Sequence, residues 1–120
     1  MKVGKSTHSN GGTVELAFYH HGGSALIVVD DESLPEYTAS VNMIETIPEP
    51  LPYDEVWLKT WSENEGVPEA LVAAGVVELT GDFAQAGHST VVKARLTDEA
   101  KTALDFDKRV ADHKREIGEA

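Results

Sequence analysis

The chain has 120 residues, an apolar fraction of 41% and ten basic against twenty-one acidic residues, for a net charge of −11. That length fits one domain with a core that stands without staples, and the absence of cysteine excludes disulfides, thiolate zinc sites and a cysteine nucleophile. No apolar run approaches the roughly 20 residues of a spanning helix. The opening MKVGKSTHSNGG lacks the apolar stretch of a signal peptide, so a cytoplasmic location without a membrane partner is expected.

Residues 1–12 are polar and end in Asn-Gly-Gly, which predicts a flexible lead-in. TVELAFY then alternates, with Val14, Leu16 and Phe18 on one face and Thr13 and Glu15 on the other, as a half-buried strand does. HHGG supplies glycines for a hairpin turn, and SALIVVD is apolar enough to be a central strand. After the polar turn DESLPE, YTASVNM is a third strand with Tyr37, Ala39, Val41 and Met43 on one side. Three strands at short spacing predict an antiparallel meander. Pro48, Pro50 and Pro52 make the next segment a loop or an edge crossing, and EVWLKT is a fourth short strand.

Ser62 stands three residues before Glu65, the spacing of a capping box. It predicts a helix over about 63–74, with Val67, Ala70, Leu71 and Ala74 buried, Pro68 a possible distortion and Gly75 the helix stop. VVEL and STVVKARL are strands around the loop TGDFAQAGH, and Thr97 caps a last helix over about 98–112. The expected fold is α+β: an antiparallel sheet of five to six strands, one packed helix and a C-terminal helix. The domain spans 13–106, and 107–120 is a helical extension or frayed tail. The helix–hairpin–helix rhythm also suits a winged helix. Its recognition helix would carry Glu63, Glu65 and Glu69 and no base, whereas phosphate contacts need Lys or Arg.

SVNM at 40–43, SENEG at 62–66 and LVAAGVVELTG at 71–81, with Gly87 beyond, resemble a family of small uncharacterised acidic bacterial proteins found in genomes and on mobile elements. The likeness covers half to two thirds of the chain, in the pattern VN…SENEG…LVxAGxVExTG. It implies an acidic α+β domain with an Asn-containing helix start and a helix–Gly–strand–Thr-Gly turn, and it carries no activity. The chain departs from the family where Gly87 is followed by HSTVVK rather than by an aromatic residue and a proline, and in the tail after Leu104.

Between Asp30 and Gln85 there are thirteen acids against one base, Lys59, a segment charge of −12. Such a field repels nucleic-acid backbones and attracts basic surfaces. Solubility is its plainest role. Glu63 and Glu65 are favoured as helix-start anions over catalytic groups, because a helix N-terminus stabilises the charged form and works against a proton donor. Asn64, neither cap nor acid, is a candidate contact to the preceding loop or to a partner.

His20 and His21 point to opposite faces of a strand and cannot chelate together. A metal site would need the distant His88. Asp30, Asp31 and Glu32 resemble the start of a calcium loop, but Pro35 stands where that loop requires glycine. No nucleophile elbow or phosphate loop is present. For Trp57 and Trp61 core packing is favoured; an exposed ring there, with Tyr53, would be an interface anchor.

The expectation is a non-enzymatic, acidic protein-binding accessory protein without cofactor or metal. It would engage a basic protein surface through Asp54, Glu55, Trp61, Glu63, Asn64, Glu65, Glu69 and Asp82. In its sharper form it is a mobile-element inhibitor that occupies a basic nucleic-acid-binding groove. The alternatives are a small metal-dependent enzyme using His20 and His88 with nearby acids, and a scaffold domain without ligand.

Overall fold

The computed structural model describes residues 1–20 and 22–118; His21 and residues 119–120 lie outside the described residues. The Cα radius of gyration is 13.7 Å, against the roughly 13.6 Å expected of 120 compactly folded residues. Among the described residues the strands form two four-stranded antiparallel sheets, not one larger sheet. The first has the order β1 (Lys2–Val3), β2 (Gly12–Phe18), β3 (Ser24–Val29) and β4 (Pro35–Thr38). The second has the order β5 (Ser40–Val41), β6 (Glu55–Lys59), β8 (Ser89–Leu96) and β7 (Val77–Ala86). No helix among the described residues is long and apolar enough to cross a membrane.

The split comes from the third expected strand, which changes sheet at Ala39. Its N–H donates to Leu26 O at 2.9 Å in the first sheet, and its carbonyl accepts from Lys59 N at 3.0 Å in the second. The Ser40 hydroxyl fixes the corner by accepting from Leu26 N at 3.0 Å. Strands that bend from one sheet into the next are how two sheets share a corner. The bend also divides the residues expected on one face. Tyr37 and Ala39 join the main core, while Val41 and Met43 pack in a smaller cluster with Trp57 and Val91.

The main core is filled by Leu16, Leu26 and Val28 of the first sheet and Val56, Leu58 and Ala94 of the second. β3 lies between β2 and β4, as its apolar run predicts. The expected β2–β3 hairpin is present: Tyr19 N donates to Gly23 O at 3.0 Å, and Gly22 and Gly23 both have positive φ. The Asp30 carboxylate caps the β3–β4 turn by accepting from the N–H groups of Glu32 and Leu34.

The capping box is not formed. Ser62–Asn64 is a single 3-10 turn, Ser62 has φ 57°, and no side chain caps it. Helix α1 (Val67–Ala73) starts after Gly66 at φ 81°, with Pro68 in its first turn, where a missing N–H costs nothing. Pro68 therefore sets the helix start. The N-terminal segment reaches this start through Thr7 N donating to Glu65 O at 3.2 Å. Gly75 ends the helix at φ 76°, as predicted.

The stretch expected as the loop TGDFAQAGH is mostly strand. β7 runs to Ala86, with an irregularity between Leu79 and Phe83 where the β7–β8 register shifts. The β7–β8 hairpin is continuous with β6, so it is no free-standing wing. Thr97 caps α2 (Asp98–Ala103) as predicted, its hydroxyl oxygen accepting from Ala100 N at 3.0 Å.

The predicted last helix is bent at Asp105, φ 53°, and continues as α3 (Phe106–Glu116). The bend turns Phe106, Val110 and His113 inward. The His113 ring stacks on Phe18 with centroids 4.5 Å apart, so part of the segment read as an extension packs into the core.

Candidate functional site

β6 organises the acidic residues. It carries Asp54 and Glu55 at its start and leads at its end, through Trp61, into the 3-10 turn. Glu55 and Lys59, four strand positions apart, are separated by about 13 Å. The two ends of β6 thus hold separate groups of acids.

At the first end the acids are neutralised by bases from the C-terminal third. Lys101 Nζ lies 3.1 Å from Asp54 Oδ2, and Arg95 donates to Glu55 Oε2 through Nε at 3.2 Å and a terminal nitrogen at 2.8 Å. The carboxylate beside it raises the Arg95 pKa above its usual value. Beside the middle of β6, where Lys93 pairs with Trp57, Asp82 on the irregular part of β7 accepts from Lys93 at 3.2 Å. Lys93 Nζ also lies 5.4 Å from the centroid of the Trp57 ring. A partner using these three acids would have to displace or share their cations.

At the other end the acids are more open. Glu63, Glu65 and Glu69 are all exposed, on the 3-10 turn and the first turn of α1. His8 Nε2 stands 3.8 Å from Glu65 Oε2. The Glu63 carboxyl is held below the usual carboxylate range, first by its own backbone N–H, then by the Ser62 hydroxyl and the charges of Lys59 and His8. Glu69 lies where the helix dipole favours an anion.

Asn64, between these acids, is 1% exposed, and its amide donates to Thr38 O at 2.9 Å. It ties the 3-10 turn to the end of β4, one residue before the chain changes sheet. Its Oδ1 has no hydrogen-bond partner among the described residues. Trp61 is half-buried against the smaller cluster, and Trp57 is 8% exposed within it.

The structure thus leaves Glu63, Glu65 and Glu69 exposed on successive turns, places Asp54, Glu55 and Asp82 elsewhere beside bases, and buries Asn64. The residues that sequence reasoning missed are those bases, Lys93, Arg95 and Lys101. Their partners lie 11 to 47 positions away along the chain, so no local pattern marks them.

His20 and His88 are exposed in different hairpin turns, β2–β3 and β7–β8. Among the described residues no three His, Asp or Glu side chains converge in a way that could hold a metal ion. No family model, curated protein or solved structure matches the chain.

Proposed function

We propose that this protein is a non-enzymatic accessory protein that binds a basic protein surface through the acidic rim Glu63, Glu65 and Glu69. The observation that carries the reading is the contrast between the acids paired along β6 and those beyond its Lys59 end. Asp54, Glu55 and Asp82 have cationic partners within 3.2 Å, whereas the rim acids face solvent, with His8 3.8 Å from Glu65 and the charges of Lys59 and His8 acting on Glu63 only through space. Exposed acids without a close ion pair to Lys or Arg supply the field that steers a basic partner. In the sharper form, the partner's basic groove is one made for nucleic acid, and the rim stands in for phosphates. The resemblance to proteins on mobile elements supports this form.

The test is affinity capture from the source cell with two baits in parallel, the wild type and the triple variant Glu63→Lys, Glu65→Lys, Glu69→Lys. A partner retained by the wild type, released by rising salt and missing from a natively folded variant bait supports the reading. Added DNA should compete for that partner if its groove binds nucleic acid. Equal retention by both baits, or indifference to salt, overturns the role of the rim.

A further inference from the structure

A built concavity lies away from the acidic rim. It is a cleft of about 330 Å³ between the β2–β3 turn, the start of β6 and the connection 42–54. That volume is at the lower end of the range for small-ligand sites. The connection is thirteen residues long and contains no strand. It is held by Met43, Ile47 and Leu51 in the smaller apolar cluster with Trp57, and by Thr46 N and Ile47 N donating to Met43 O. Long connections of this kind in compact domains commonly carry binding function.

The chemistry of the walls is specific. Tyr19, Tyr53 and Trp57 present aromatic rings, Glu49 and Glu55 are the charged residues, and no Lys, Arg or His is among the described lining residues. Glu55 is held by Arg95, whereas Glu49 is exposed on the loop with no ion-pair partner among the described residues. Two of the rings already attract cations. Lys93 Nζ stands 5.4 Å from the Trp57 centroid and Lys114 Nζ 5.3 Å from that of Tyr53, although neither lysine lines the cleft. Gly22 keeps the turn side open, since a Cβ there would come within 3.3 Å of Tyr53 Oη. Aromatic faces with an unneutralised carboxylate favour an organic cation, and the net charge of −11 raises the local concentration of cations further.

We propose that this cleft binds an organic cation, an ammonium group on a flat or aliphatic body. The cation comes from a free amine or from a basic side chain of another protein. The site is separate from the rim, so either reading can fail while the other stands.

The test is amide and indole NMR of the full chain titrated with phenethylamine, with 3-phenylpropionate as an anion of similar size, and with N-acetyl-lysine amide. Phenethylamine should give saturable shifts in 19–24 and 42–57, including the Trp57 indole, with a dissociation constant on the order of a millimolar for so small a fragment. The anion should bind at least about tenfold more weakly. Glu49→Gln should weaken phenethylamine by about two- to fivefold, the range of an exposed ion pair, with the rest of the spectrum unchanged. Shifts from N-acetyl-lysine amide alone keep the cation specificity and assign its source to a side chain. Equal binding of amine and anion, or no saturable shift with any cation, overturns the proposal.

Discussion

The Asn64 amide gives the sharpest test of whether the SENEG stretch is scaffold or contact surface. It is buried and donates to Thr38 O at 2.9 Å, next to the residue that joins the two sheets. Asn64→Ala removes that bond and leaves a small void, but also removes the partnerless Oδ1. A net loss of about 1–2 kcal/mol follows. For 120 residues this lowers Tm by roughly 3–10 °C. Asn64→Asp should be worse at neutral pH, because it sets a buried carboxylate against a carbonyl oxygen. Burial raises the folded-state pKa of the new carboxyl above its unfolded value. The penalty is therefore absent below the unfolded pKa of about 4 and grows as pH rises above it. A protonated carboxyl can also donate to Thr38 O. Thermal melts followed by circular dichroism at pH 4 and pH 8, each referenced to wild type, measure both effects. If Asn64→Ala melts within about 1 °C of wild type, or Asn64→Asp loses equal stability at both pH values, the tie is not formed and the residue is free to face a partner.

Three other outcomes are expected. Gly75→Val should destabilise by on the order of 1 kcal/mol or more, since a Cβ at φ 76° is strained and would lie 3.0 Å from Glu99 Oε2; urea denaturation reads the loss. Ser62→Ala should change stability by less than about 0.5 kcal/mol in the same assay, because Ser62 is exposed and caps no helix. Burial, with a smaller effect from the charge of Glu36, pushes the Tyr37 phenol up to about 12, so the unfolded chain loses that proton first between about pH 10 and 12 and stability falls across that window. Tyr37→Phe should flatten this part of the alkaline melting profile and, by removing a hydroxyl that has no partner among the described residues, leave stability near pH 8 within about 1 kcal/mol.

Local chemistry was legible in the sequence. Alternation placed Val14 and Leu16 inward, the apolar run of β3 put it between two other strands, Gly75 stopped a helix, and Thr97 capped one. Each of these depends on neighbours within a few positions, so a short window of sequence contains the cause. The capping box failed for one cause inside such a window and one outside it. Pro68 and the positive φ of Gly66 start the helix later, and the turn before it is held by Asn64 reaching back to Thr38.

The acidic segment shows the same division. Its charge of −12 is fixed by composition, but composition does not say which acids remain unpaired. That was decided when Lys93, Arg95 and Lys101 were folded against Asp82, Glu55 and Asp54, leaving Glu63, Glu65 and Glu69 at the open end of β6. The corner at Ala39 was hidden likewise. A strand that bends between two sheets keeps the period of two of a strand that does not, and only its hydrogen-bond partners, Leu26 on one side and Lys59 on the other, differ. Periodicity records which way a side chain points, while the neighbour it meets is set by contacts between distant parts of the chain.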